Sequence, residues 1–171
     1  MSPSGNPANK LDTSIVWLGR AISWCVPVMA LLVLVIVVLR YGFNTGAIAA
    51  QESVQYLHAA IFMLGAAVTL GADQHVRVDI FYRSFTPRQQ AWVNALGHII
   101  FTLPICALIG WGSWDYVVDS WSAREASPEP GGLPFVYLLK GLIPAMAALM
   151  ALQALSQLLS AMDVLRHKDA R

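Results

Sequence analysis

Four long apolar runs dominate this chain of 171 residues and constrain its fold more than any single motif does. They cover residues 17–39, 47–71, 92–112 and 135–159. Each is close to or longer than the ~20 residues that a helix needs to cross a hydrocarbon layer of ~30 Å. A helix satisfies its own backbone hydrogen bonds in lipid, whereas an open strand does not. The sequence therefore predicts an all-α integral membrane protein with four transmembrane helices in a single membrane domain, residues 1–171.

The composition agrees with a chain that lies mostly in lipid. Hydrophobic residues make up 57% of it and charged residues 12%, whereas soluble domains carry about 25% charged residues. The stretches between the runs are too short to bury a core of their own, which excludes a folded catalytic domain outside the membrane. The eleven Lys and Arg are dispersed along the chain. We therefore expect the lipid bilayer, and no nucleic acid, as the chain's surroundings.

The positive charges fall unevenly on the two sides of the predicted membrane. The N-terminal arm, the loop between the second and third spans and the C-terminal tail share one side. That side holds eight Lys and Arg: Lys10, Arg20, Arg77, Arg83, Arg88, Arg166, Lys168 and Arg171. The other side holds three: Arg40, Arg124 and Lys140. Because Lys and Arg accumulate in cytoplasmic loops, the sequence predicts that both termini are cytoplasmic.

The segment before the third span carries two local signals. Thr86, Pro87 and Gln89 stand where a hydroxyl cap, a first-turn proline and a capping-box glutamine start a helix. The preceding residues 78–85 place Ile80, Phe81 and Phe85 on one helical face. This pattern predicts a short amphipathic helix in the cytoplasmic interface between the second and third spans.

Two charged residues stand at the joint between the first and second spans. Arg40 ends the first run and Glu52 lies near the start of the second. We expect them to form a hydrogen-bonded ion pair that closes this hairpin, in a structural role. A solvated Arg40 and an independent Glu52 facing water is the alternative.

Polar residues within the second span indicate either internal packing or a contact with another subunit. Gln51, Gln55 and His58 recur at helical spacing and form a polar stripe. Side chains of this kind hydrogen-bond to neighbouring helices in membranes. His98 in the third span raises a second possibility, a haem held by His58 and His98. Bis-histidine ligation needs both rings at nearly the same depth, and the positions of these two in their spans do not match.

No other group of side chains forms a convincing chemical site. His75 and Asp79 share a helical face, but two ligands without a third make a poor metal site, so we expect them to orient the interfacial segment against a partner. Cys25 and Cys106 are unpaired small residues within spans. No serine has a histidine and an acid in the pattern of a catalytic triad. We therefore expect no catalytic residues, no metal and no cofactor, and the chain is not predicted to be an enzyme.

Several motifs together resemble the small membrane subunit, or Q-type permease subunit, of tripartite ATP-independent periplasmic (TRAP) transporters. They are RYGFN at 40–44, QE at 51–52, GAA at 65–67, HVRVDIF at 75–81 and Pro87. The resemblance covers roughly residues 15–160, and GAA followed by HVRVD is its most specific part.

This resemblance implies a non-catalytic subunit of a secondary uptake system in the bacterial inner membrane. A periplasmic binding protein delivers an organic acid, a large M-type membrane subunit carries it with sodium, and the small subunit scaffolds the large one. The candidate interface residues are then Gln51, Gln55, His58, Gly65, Ala66, Ala67, His75, Asp79, Ile80, Phe81 and Phe85. A membrane haem or quinone electron-transfer protein is the alternative.

The charge asymmetry gives a testable topology. A reporter enzyme that is active only in the periplasm, fused after Arg171, should give no signal, because the C-terminus is expected in the cytoplasm. The same reporter inserted in the loop after Arg124 is the positive control. Strong activity from the C-terminal fusion would contradict the predicted orientation.

Overall fold

The structure, a computed structural model, describes residues 17–71, 82 and 84–167, and the regular elements in this part are all helical. There are four long helices: α1 at Trp17–Gly42, α2 at Ile48–Gly71, α3 at Pro87–Ala123 and α4 at Val136–His167. Each is long and apolar enough to cross a membrane. The prediction of an all-α protein with four transmembrane helices is confirmed. Below, the hairpin end is the end that carries loops 43–47 and 124–135, and the terminal end is the opposite one.

The helices form an open row rather than a closed bundle. α1 packs on α2, and both α2 and α3 pack on α4, which gives the spatial order α1, α2, α4, α3. Within the described residues, no substantial contact joins α1 to α4 or α2 to α3. Only a small share of the residues in each span is buried as a result. Most of the apolar surface therefore faces outward.

Small residues at a fixed spacing form the seam between α4 and α3. Ala147, Ala154 and Ala161 recur every seven residues on α4, and all three are buried. Ala161 clusters with Ala91 and Ala95 of α3 near the terminal end. Small side chains let membrane helices approach closely and gain van der Waals contact, which is what drives their association in lipid.

Close contact also joins α2 to α4. A Cβ atom built on Gly71 would lie 2.9 Å from the amide nitrogen of Gln153, so a larger residue at position 71 would force Gln153 to move. Ala67, one turn earlier on α2, is fully buried. The two positions mark the side of α2 that faces α4.

Prolines coincide with two of the helix irregularities. A turn at Trp24 interrupts α1, three residues before Pro27, whose missing N–H cannot bond the carbonyl of Ser23. In α3, a π-helical turn at His98–Thr102 directly precedes Leu103 and Pro104, and the Leu103 N–H bonds the carbonyl of His98. Such local widening of a helix is a recognised response to a broken hydrogen-bond ladder.

The two ends of α3 compare differently with the sequence expectations. At the start, the capping box is confirmed: the Thr86 N–H donates to Gln89 Oε1 at 2.9 Å, and the Gln89 N–H donates to Thr86 Oγ1 at 3.4 Å. At the other end, the helix continues beyond the apolar run of residues 92–112, because Trp114–Ala123 is also helical. Val117 and Ser120 are buried in this extension, which packs on α4.

The tight α2–α4 contact can be tested by overpacking. Ala67→Leu should destabilise the purified chain by about 1–3 kcal/mol, because the added atoms have no space between the helices. Ala107→Leu, at an exposed position on α3, is the matched control and should stay within about 0.5 kcal/mol of the parent. Thermal unfolding in detergent measures both. Equal melting temperatures for the two variants would contradict the packing described here.

Candidate functional site

At the hairpin end, Glu52 of α2 binds the loop that precedes α4. Its carboxylate accepts a hydrogen bond from the Ser127 hydroxyl and a second from the Leu133 N–H at 2.6 Å. The loop closes on itself through the Ser127 N–H, which donates to the Leu133 carbonyl at 3.0 Å. A Cβ atom on Gly132 would lie 2.7 Å from Glu52 Oε1, so only glycine fits there. We call these three hydrogen bonds the Glu52 latch.

The latch corrects the predicted ion pair between Arg40 and Glu52. Both residues lie in the described part of the chain, and no ion pair joins them. Arg40 is exposed at the end of α1. Two donors from the loop, one of them a backbone N–H already fixed in direction, satisfy the carboxylate instead. The role inferred from the sequence, a structural tie between elements, is kept, but the partner is loop 124–135.

A second polar contact at the hairpin end joins the same loop to α4. Lys140 pairs with Glu125, and its ammonium group lies 4.0 Å from the centre of the Tyr116 ring. The hydrogen bond from Lys140 is the main reason that the pKa of the Glu125 carboxyl lies below its ordinary value. Loop 124–135 is therefore held on one side by α2 and on the other by α4.

A buried polar network links three helices nearer the terminal end. The Gln157 amide of α4 donates to the Leu70 carbonyl of α2 at 2.5 Å, and its oxygen lies 2.7 Å from His98 Nε2 of α3. The other His98 ring nitrogen lies 3.3 Å from Thr102 Oγ1. His98 itself is buried. Both of its ring nitrogens thus have neighbours within the chain.

One face of α2 points away from α4, and we call it the outward face. Its members are Gln51, Gln55, His58, Phe62, Gly65 and Thr69. His58 stands nine residues before the buried Ala67, which is about 2.5 turns at 3.6 residues per turn, and so lies on the opposite side of the helix. Gln55 and His58 are exposed, and 71% of the Phe62 side chain is exposed. The Thr69 hydroxyl donates to the Gly65 carbonyl at 2.9 Å.

The candidate interface residues of α2 do not all lie on one side of the helix. Gln51, Gln55, His58 and Gly65 share the outward face. Ala66 is half-buried and, like Gly65, lines a groove beside α1. Ala67 is fully buried inside the chain, so its inclusion as an interface residue was wrong. A run of three small residues cannot occupy one face of a helix, because successive residues are rotated by about 100°.

The predicted interfacial segment is largely outside the described residues. Four of its candidate residues lie outside the described part of the chain, so their roles stay predictions: His75, Asp79, Ile80 and Phe81. Phe85 is half-buried, with its ring centre 6.4 Å from that of Tyr82.

The sequence reasoning missed the side chains that hold Tyr82 and Phe85 at the start of α3. The Gln90 amide donates to the Tyr82 carbonyl at 3.1 Å and to the Phe85 carbonyl at 3.3 Å, and the Asn94 amide donates to the Tyr82 hydroxyl at 2.9 Å. Polar residues one turn apart inside the first turns of an otherwise apolar span are the signal that could have revealed them.

The two histidines do not converge. His58 is exposed on the side of α2 away from α4, whereas His98 lies in the network that α4 makes with α3. Within residues 17–71, 82 and 84–167, no group of three or more His, Cys, Asp or Glu side chains is placed to hold a metal ion.

Comparisons with known proteins point in one direction. Residues 29–163 match the family model described as tripartite ATP-independent periplasmic transporters, DctQ component. The chain is also 33% identical over 93 residues to a protein of Haemophilus influenzae whose name describes a TRAP transporter small permease protein. That alignment covers 53% of this chain and 57% of the relative, so the chain spans less than two thirds of the relative's length. No solved structure matches the chain.

The Glu52 latch predicts how the hairpin-end loop responds to substitution. Glu52→Ala removes the acceptor of the Leu133 N–H, so amide hydrogen exchange at Leu133 should become faster. Glu52→Gln keeps one acceptor oxygen and should give an intermediate rate. Hydrogen-exchange mass spectrometry of loop 124–135 measures both.

Two control variants separate the latch from general charge effects. Glu129→Ala removes an exposed carboxylate from the same loop, and Arg40→Ala removes the partner that the sequence suggested. Neither should change exchange at Leu133. Unchanged exchange at Leu133 in Glu52→Ala would contradict the Glu52 latch.

Proposed function

The chain belongs to the DctQ component family of tripartite ATP-independent periplasmic transporters, and from this membership we propose that it is the non-catalytic small membrane subunit that scaffolds the large carrier subunit. In this proposal, the large subunit moves an organic acid together with sodium, and a periplasmic binding protein delivers the acid. The small subunit lies in the bacterial inner membrane with both termini in the cytoplasm.

The open row of helices is the observation that carries the proposal. Carriers bind substrate and coupling ions between helices or repeats near the middle of the membrane. A single layer in which each helix touches one or two neighbours offers extended faces instead. Such faces suit a subunit that holds another membrane protein in position.

The ties at the hairpin end support a stiff scaffold. The Glu52 latch fixes the loop to α2, and the Lys140–Glu125 pair fixes it to α4. Because α2 and α4 are also neighbours in the row, the loop braces two helices that already pack together. A braced layer can hold a partner at a constant depth and tilt while that partner moves.

The scaffold role predicts that the large subunit depends on this chain for stability rather than for chemistry. Deleting the gene for this chain should lower the membrane abundance of a tagged large subunit and abolish sodium-driven uptake. Restoring the chain from a plasmid should recover both. Immunoblots of membrane fractions measure abundance without knowledge of the substrate.

A reconstitution experiment separates a scaffold from a carrier. Liposomes that contain this chain alone are given a sodium gradient, the cognate binding protein and the organic acids that it binds. They should accumulate none of these acids. Liposomes that also contain the large subunit are the positive control. Uptake by this chain alone would overturn the proposal.

A further inference from the structure

We infer that the outward face of α2 packs directly on the large membrane subunit, with His58 and Gln55 hydrogen-bonded to polar groups of that partner. This inference rests on the proposed function and adds to it the surface and the chemistry of the contact.

His58 lies near the middle of the membrane-spanning length of α2. α2 starts at Ile48 and ends at Gly71. At 1.5 Å per residue, His58 lies roughly 15 Å from the start and roughly 20 Å from the end of the helix. Its side chain is therefore near the middle of a hydrocarbon layer that is ~30 Å thick. Lipid headgroups lie too far away to reach it.

His58 is exposed without a hydrogen-bond partner among the described residues. The side chain is exposed, and within the described part of the chain no residue makes a hydrogen bond or ion pair with it. Acyl chains have no hydrogen-bonding groups, so an imidazole in contact with lipid would have an unsatisfied donor and acceptor. Polar groups at membrane depth characteristically face protein or a water-filled cavity. Gln55 is also exposed and lies one turn closer to the hairpin end, so its side-chain amide needs hydrogen-bond partners as well.

The outward face of α2 has a protrusion at Phe62 and a notch at Gly65. Phe62 protrudes with 71% of its side chain exposed, and a Cβ atom built on Gly65 would meet nothing within 4 Å. Gly65 thus opens a notch next to a protruding ring. The notch continues into a groove of about 570 Å³ between α2 and α1, where Gly19 and Ser23 line the other wall. A partner helix can place a bulky apolar side chain in this groove.

The same shape argues against a second copy of this chain as the occupant. Two copies that pair symmetrically with the same orientation in a membrane are related by a two-fold axis along the membrane normal, so each residue lies at the same depth as its own copy when the two outward faces meet. Phe62 would then oppose Phe62, and the notch at Gly65 would oppose another notch. A different partner can set a protrusion against the notch and a hollow against Phe62. The large membrane subunit is such a partner.

The test measures how much large subunit is retained by the tagged chain after co-expression and detergent extraction. His58→Leu should lower the retained amount about tenfold, a loss within the range expected for an interhelical hydrogen bond at membrane depth. His58→Gln keeps hydrogen-bonding capacity and should restore retention. Gly65→Leu fills the notch and should also lower it. Phe101→Leu and Leu108→Ala, at exposed positions on α3, are the controls and should change nothing.

A second measurement excludes misfolding. The thermal stability of the isolated His58→Leu chain in detergent should equal or exceed that of the parent, because the substitution replaces an exposed polar group with an apolar one. Loss of retention without loss of stability is the signature of a contact. A destabilised His58→Leu chain would overturn the inference, because His58 would then serve the chain's own fold.

Cross-linking locates the contact. With Cys25 and Cys106 replaced by Ala, a chain with His58→Cys should form a cross-link to cysteines placed along the large subunit, while one with Leu108→Cys should not. Cross-links from position 58 to another copy of this chain would overturn the inference. So would unchanged retention in all α2 variants.

Failure of the inference differs from failure of the proposed function. If the parent chain retains no large subunit at all, the scaffold proposal fails. If the parent retains it and the His58, Gln55→Leu and Gly65 variants retain it equally, only the assigned surface is wrong.

Discussion

The row of helices depends on α4, which provides hydrogen-bond partners for polar groups on both α2 and α3. In lipid, a carbonyl or imidazole that loses its partner finds no water to replace it. The Gln157 amide nitrogen donates to the Leu70 carbonyl of α2, and its amide oxygen accepts from His98 Nε2 of α3, so one side chain of α4 links three helices. Because α2 and α3 make no substantial contact with each other in the described residues, α4 sets the position of both. The Glu52 latch adds the corresponding tie at the hairpin end.

The sequence predicted the features that depend on a few consecutive residues. Run length predicted four spans, and Thr86, Pro87 and Gln89 predicted the start of α3 through a cap that involves only its own first turn. It did not predict the spatial order of the helices, because periodicity shows how wide an apolar face is and not which helix lies against it. Arg40 was the nearest opposite charge to Glu52 along the chain. The partners that Glu52 has in the structure are 75 and 81 residues away.

Two misses had signals in the sequence. Ala147, Ala154 and Ala161 recur every seven residues, a pattern that indicates a close helix contact, whereas Ala67 of the GAA motif at 65–67, predicted as a candidate interface residue, is buried within the chain. The end of α3 was misplaced because Asp115 and Asp119 mark the end of the apolar run. The helix nevertheless continues beyond the apolar run. Val117 and Ser120 are buried against α4, while the charged residues of this extension lie on its other side.

Exposure alone does not identify the surface that needs a protein partner. α1 is the least buried span, with Leu31, Leu34 and Val38 each about half exposed or more. Between residues 26 and 38 its exposed side chains are all apolar, and acyl chains cover them without leaving a hydrogen-bonding group unsatisfied. α2 is more buried but presents an imidazole and an amide outward at membrane depth, which acyl chains cannot satisfy. We therefore infer that α2, rather than the more exposed α1, is the helix that needs a protein neighbour.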